Sequence, residues 1–173
     1  FRTAEARSAT YVFAGLDQLY DWELQLAADL HRALRAAGLR VLNDPARVMG
    51  RYELLHALHD EGINPFDAYR ADGRPRPRRF PVFLRREFDH KGPLTDLIDD
   101  QAGLDRALAE WQAGGHPLRG LIVVEFCGAP VAPGVWRKLG TFRIGSRYHV
   151  QGAVVEDRWA AKHGTRGLPS DEM

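Results

Sequence analysis

The residues of this 173-residue chain whose types and spacing could do chemistry lie at the ends of two apolar runs. The first, Pro81-Val82-Phe83-Leu84-Arg85-Arg86, reads as a strand that delivers two guanidinium groups at its exit, and Lys91 and Gly92 follow at the next turn. Delocalised and point positive charge beside a glycine loop, whose amides can close over oxygens, suits phosphate. An exposed basic strand end accounts for the same residues without any function. The second run, Leu121-Ile122-Val123-Val124-Glu125-Phe126-Cys127-Gly128, is a strand closed by an acid. Its backbone could meet a purine edge while the Glu125 carboxylate accepts from an amino or hydroxyl group, which brings Phe126 and Cys127 into the candidate set. Taken alone, Glu125 is an ordinary strand-end charge.

Other chemistries lack their residues. No Gly-x-x-x-x-Gly-Lys-Ser/Thr, Gly-x-Gly-x-x-Gly after a strand, or Gly-x-Ser-x-Gly elbow occurs, so common phosphate-loop and hydrolase readings fall away. His56 and His59 are three apart on one helix, but no Cys or His/Glu set completes a tetrahedron, and they read as a solvated pair rather than a zinc site. No metal ligand is assigned.

The elements that position these groups follow from periodicity. Thr10 to Gly15 is β-rich and ends at glycine, a first strand. From Asp21, Trp22, Leu26, Leu30, Leu34 and Ala37 recur every three or four residues and Gly38 supplies a stop, predicting a helix packed on that strand. Arg40 to Asn43 gives a second strand. Asp44 before Pro45 predicts a capped helix through Leu54, Leu55 and Leu58, ending near Gly62. Strand, helix, strand, helix with short joints predicts a parallel α/β layer over residues 1–64.

Residues 65–79 are rich in Pro, Gly and Arg and aperiodic, which predicts a linker and a lobe boundary. Its run Arg74-Pro75-Arg76-Pro77-Arg78-Arg79 reads as a solvated spacer first and as an RNA or phosphate tether second. Residues 80–160 then give a strand to Glu87, a loop, a helix over Ala102 to Ala113 closed by Gly114-Gly115, a strand at Leu121 to Cys127, and a hairpin of Thr141 to Ile144 with Tyr148 to Val155 around Gly145-Ser146. Residues 161–173 read as a polar, fraying tail. The fold class expected is thus α/β: a small parallel α/β lobe followed by an α+β lobe.

Composition bounds the setting. The net charge of +1 argues against a nucleic-acid partner, and no apolar run is long enough for a membrane span. The single Cys127 cannot form an internal disulfide and fits a reducing, cytoplasmic compartment. A homo-oligomer is compatible with all of this. The opening Phe1-Arg2-Thr3-Ala4-Glu5, without an initiator Met, reads as an excised piece.

The order of features resembles a family. Val41-Leu42-Asn43-Asp44-Pro45, then Arg51 with Leu54-Leu55 and Leu58, then Gly62-Ile63-Asn64-Pro65, is similar to the boundary that precedes the nucleotide-binding domain of ATP-grasp ligases. Pro81 to Arg85 resembles the strand that ends in the phosphate-contacting lysine, Glu87 to Pro93 its glycine loop, and Val123 to Phe126 the hinge strand that holds adenine. Trp136-Arg137-Lys138 through Gly145 resembles the strand pair that brings a basic group toward the transferred phosphate, which makes Lys138 the candidate catalytic residue.

The resemblance implies an incomplete ATP-grasp fold, with a pre-ATP-grasp region and a lid lobe. It implies ATP as cofactor, bound weakly at Arg51, Arg85, Lys91, Gly92, Glu125, Phe126 and Cys127, in a fragment of a ligase that activates an unknown carboxylate as an acylphosphate. Both usual lysine positions are Arg here, and Arg makes forked contacts where Lys makes a point contact. The family's closing Glu-x-Asn segment has no counterpart before Met173, and Asp171 and Glu172 have no strand to position them, so magnesium is expected only with the part not present. Arg85, Lys91, Glu125 and Lys138 are expected to converge on one cleft; Glu125 and Arg85 on opposite faces would defeat the nucleotide reading. The alternative is a non-catalytic module for a nucleotide, an anion or a protein.

Overall fold

A computed structural model describes residues 7–162 and the backbone of 165–167. It mixes helices with three small sheets. The chain opens with β1 (Thr10–Val12), α1 (Asp21–Ala36) and β2 (Arg40–Leu42), and β1 and β2 pair in parallel with Tyr11 opposite Val41. Glu23 starts α1 by reaching back to accept from the Tyr20 amide at 2.8 Å, and Gly38 turns the chain out of it in the left-handed region at φ 76°.

The helix packs less of its apolar stripe than its spacing suggests. Leu34 and His31 are buried, but Trp22 is 64% exposed, and Leu26 and Leu30 are exposed too. Periodicity selects a face of a helix; it does not supply enough sheet to cover it, and this sheet has two strands.

Asp44 caps a turn as expected, its carboxylate accepting from the Ala46 amide at 3.0 Å. What it caps is a single 3-10 turn, Pro45–Arg47, rather than the helix carrying Leu54 and Leu55. That helix, α2 (Arg51–Asp60), begins separately after Gly50 and places Arg51 at its first position.

Residues 65–79 are not a plain linker. They contain β3 (Ala68–Arg70) and a 3-10 turn at Ala71–Gly73. The Arg/Pro run is tied down as well: Arg76 pairs with Asp105 at 3.0 Å, and the amides of Arg78 and Arg79 are hydrogen-bonded.

The central sheet combines β3, β4 (Val82–Arg86) and β5 (Leu121–Glu125), all antiparallel in the order β3-β5-β4. Between β4 and β5 comes α3 (Gln101–Ala113), whose N-cap Asp100 accepts from the Gly103 amide at 2.7 Å. The pleat sends Val82, Leu84, Leu121 and Val123 to the α3 face, where they pack on Leu104 and Leu108. It sends Ala68, Ile122 and Val124 to the other face, where they meet Tyr52 and Leu55 of α2 and Phe83. Full burial of a leucine such as Leu104 is worth about 1.5–3 kcal/mol, so α3 holds one face firmly.

The hairpin is longer than its alternation suggests, with β6 (Trp136–Ile144) and β7 (Arg147–Glu156) paired along their whole length around Gly145. Its inner half has an additional partner. Within the tail, β8 (Thr165–Gly167) pairs with Ala153–Val155, so those three residues do not fray; residues 163, 164 and 168–173, with Asp171 and Glu172, lie outside the described residues. No helix among the described residues is long and apolar enough to cross a membrane.

Candidate functional site

The α2 face of the central sheet is not covered along its full length. Beyond Leu55 and Tyr52 it opens into a cleft of about 520 Å³ bounded by Arg51, Arg85, Phe126 and the start of β6. Three elements must meet to make it. Arg85 stands on the same sheet face as Phe83, one pleat further along β4; Arg51 enters from the first turn of α2; and β6 brings Trp136, Arg137 and Lys138 across the opening. Lys162 and Gly92 close the rim.

The two arginines are held differently. Arg51 donates through Nη1 to three carbonyl oxygens, those of Arg86 at 3.2 Å, Asp89 at 3.0 Å, and Glu87, so the loop after β4 is wrapped around its guanidinium. Arg85 has only a long contact from Nη2 to the Asp89 carbonyl at 3.4 Å, and its buried Nε has no partner. Burial, and then the nearby Arg51 charge, push the Arg85 pKa down. A buried donor on a cation costs free energy until something accepts from it. Carbonyl oxygens accept from both arginines, the nearby Asp89 carboxylate pulls the Arg85 pKa back up in part, and no acid lines the cleft among the described residues, so its lining is net positive.

The other wall is aromatic. Phe126 meets Trp159 edge to face with centroids 5.3 Å apart and Trp136 at 5.7 Å, while Phe83 contacts Trp159 at 5.0 Å. Gly128 lets this cluster form, since a Cβ there would stand 2.8 Å from the Phe126 ring. A charged end facing a π-rich end suits a ligand that is anionic on one side and planar on the other.

The expected residues divide. Arg51, Arg85, Gly92, Phe126 and Lys138 do line one cleft. Lys91 does not: it lines an adjoining cavity of about 630 Å³ behind Trp136 and Trp159, and the Lys162 ammonium donates to its carbonyl at 2.8 Å. Gly92 has φ 101°, which requires glycine, and His90 pairs with Asp17 at 3.0 Å, so the loop has a specified shape.

Glu125 is the clearest correction. Its ladder partner is Val82, whereas Arg85 faces Ile122, so the two charged side chains leave opposite faces of the sheet. The buried carboxylate accepts from the amides of Asp67 at 3.1 Å, Arg78 at 2.9 Å and Arg79 at 3.0 Å, and from the Tyr69 hydroxyl at 2.9 Å. It organises the segment before β4 and cannot reach a ligand in the cleft, so the nucleotide reading that joined Glu125 to Arg85 fails, and any ligand of the cleft must be held by its other groups. The strand amides are engaged too: Glu125 N–H donates to the Asp67 carbonyl and Phe126 N–H to Pro81. Cys127 is exposed and does not line the cleft; desolvation pushes its thiol pKa up against the pull of Arg79.

His56 and His59 are more than a solvated pair, because both face the buried Asp67. His56 Nδ1 lies 2.8 Å from its carboxylate and His59 Nε2 4.0 Å, and His59 Nδ1 donates to the Asn64 carbonyl. The hydrogen bond to Asp67 raises the His56 pKa. Among the described residues no group of three His, Cys, Asp or Glu could hold a metal.

Sequence reasoning passed over Phe83, Trp159 and Lys162. The available signal was aromatic: Trp159 follows the hairpin in a polar stretch where a large apolar side chain needs a partner.

Comparison with known proteins adds one distant likeness. No family model and no curated protein matches the chain. Among thirteen matching chains of known structure is an L-amino acid ligase from Bacillus licheniformis, at 14% identity and a TM-score of 0.46, with 82% of this chain and 34% of that one covered. The chain therefore spans about a third of the length of that ligase.

Proposed function

We propose that this chain binds a nucleotide in the cleft between α2, β4 and β6, as the nucleotide-holding portion of an ATP-grasp-like carboxylate ligase. The observation that carries the reading is the Arg51–Arg85 pair: two guanidinium groups in an aromatic-walled cleft whose lining holds no carboxylate. A phosphate there would supply the negative charge that the lining lacks. Lys138 and Lys162 extend the positive rim along a polyphosphate, and the base stacks against Phe126 and Trp136 instead of being read by Glu125. Adenine is the base that the family resemblance implies.

Magnesium does not fit the residues that line this cleft, because none of them is a carboxylate. The chain's role here is to bind and orient. Phosphoryl transfer needs a group that neutralises charge developing on the transferred phosphate, and mobile basic side chains alone leave several kcal/mol of that stabilisation unsupplied. The parent ligase and its carboxylate substrate belong to the same proposal and rest on the order of elements from Arg40 to Lys162.

Trp136 and Trp159 give the test its signal. Titration with ATP, inorganic triphosphate and adenosine, followed by tryptophan fluorescence, should give saturable binding in the order ATP, then triphosphate, then adenosine. Equal affinity for adenosine and ATP would remove the arginine pair from the account.

A further inference from the structure

From Phe126 to Val155 the chain contains no Asp or Glu, yet it carries Arg137, Lys138, Arg143 and Arg147. In a chain whose overall charges nearly cancel, that is a local positive segment, and it coincides with one structural feature. β6 is the edge of its sheet, hydrogen-bonded to β7 on one side and to no strand on the other among the described residues. Past the irregularity at Gly140/Thr141 the hairpin leaves the body of the protein, and residues 141–150 are exposed throughout.

Large apolar groups cover this outer part. Tyr148 is 73% exposed and Ile144 68%, with Phe142 and Val150 exposed beside them. The register puts Phe142 and Ile144 with His149 and Arg147 on one face, and Arg143 with Tyr148 on the other, the guanidinium 5.9 Å from the ring centroid. Arginine with tyrosine and phenylalanine, away from acidic groups, is the composition of a protein-binding surface.

An open edge strand is a template for another strand, and proteins commonly blunt such edges with charge. Charge of a single sign blunts selectively. A second copy of β6 would bring Arg143 against its own kind, whereas a strand with acids on that face would meet opposite charge there. We propose that the open edge of β6, over residues 141–144, receives an extended acidic segment of a partner protein by antiparallel or parallel strand addition, its apolar side chains packing on the face of Phe142 and Ile144 and its carboxylates, on the other face, meeting Arg143. Phe142 and Tyr148 lie on opposite faces, so the ribbon offers no single stacking platform for the bases of a nucleic acid. The site is separate from the nucleotide cleft, and neither proposal depends on the other.

The test uses a fluorescein-labelled peptide of alternating glutamate and valine, its lysine–valine counterpart, an N-methylated copy of the acidic peptide, a thymidine oligonucleotide and phosphatidylserine vesicles. Fluorescence anisotropy should show saturable binding of the acidic peptide alone, weakened about tenfold by Arg143→Glu and abolished by backbone N-methylation. Hydrogen exchange on the unaltered chain should show slowed amides in β6 when the acidic peptide is present, whether or not the variant folds. Equal binding of the N-methylated peptide, unchanged β6 amides, tighter binding of the oligonucleotide or vesicles, or no saturable binding of the acidic peptide would overturn the proposal.

Discussion

Arg85 and Glu125 belong to adjacent, hydrogen-bonded strands and yet work on opposite faces of the central sheet. Arg85 lines the cleft, whereas Glu125 is turned inward with four donors satisfied by its two oxygens. The face a side chain takes in the pleat separates one that lines the cleft from one that ties down the segment before β4.

Glu125→Ala should therefore damage stability and spare the cleft. Three backbone amides and the Tyr69 hydroxyl would lose their acceptor, at a cost of about 2–4 kcal/mol. Urea denaturation measures it, and the variant that remains folded should keep nucleotide affinity within about threefold. Burial, with the carboxylate adding to it, pushes the Tyr69 pKa up to about 12, which keeps the phenol protonated as a donor at every working pH.

A second prediction concerns the Arg70–Glu87 pair. Glu87 is buried, and burial raises its pKa while Arg70, 3.0 Å away, pulls it down. Arg70→Ala removes that pull, so the pKa rises further. Because a carboxylate with a raised folded pKa loses stability as pH climbs through that value, the variant should lose more at pH 8 than at pH 5. The loss at pH 8 should be about 2 kcal/mol, and Glu87→Gln in the same chain should recover most of it. Thermal melts of the single and double variants at the two pH values check both statements.

The His56–Asp67 contact gives the third. The folded pKa of His56 is raised by Asp67, so the stabilisation it contributes is complete below the ordinary imidazole value and fades as pH rises through the folded value. The difference in Tm between the unaltered chain and His56→Gln should shrink between pH 6 and pH 8. A difference independent of pH would mean that the protonated imidazole adds nothing at this site.

Much of this arrangement is legible in the sequence, and what is not has specific causes. Helix α1 announces itself through its stripe, the Glu23 turn and Gly38, and α3 through Leu104, Leu108 and its double glycine. Strand β3 is hidden because three residues, Ala-Tyr-Arg, are too few to show a period of two, and they sit among Pro and Arg residues that read as a spacer. The face that Glu125 takes depends on its register against β4, which no property of the strand itself reveals. Arg85 and Phe126 stand out in the sequence because they close apolar runs; Trp159 and Lys162 do not, because nothing local places the chain after β7 against Phe83 and the loop at Lys91.

Magnesium provides a fourth prediction. With no carboxylate lining the cleft, the metal competes with Arg51 and Arg85 for the phosphates instead of bridging them to the protein. ATP should bind no more tightly with magnesium than with a chelator present, and phosphate release should stay at the uncatalysed rate. Magnesium-dependent release abolished by Lys138→Ala would place a metal site that the described residues do not contain.

The account rests most directly on Arg85, and calorimetric titration of ATP into the chain and into Arg85→Met tests it. Methionine keeps the buried stem and removes the charge, so folding should persist by circular dichroism and thermal melt. Affinity should fall at least tenfold, the loss of about 1.4 kcal/mol or more expected for a charge-assisted phosphate contact. An Arg85→Met chain that folds normally and binds ATP as tightly as the unaltered protein would contradict the claim that this cleft holds a phosphate.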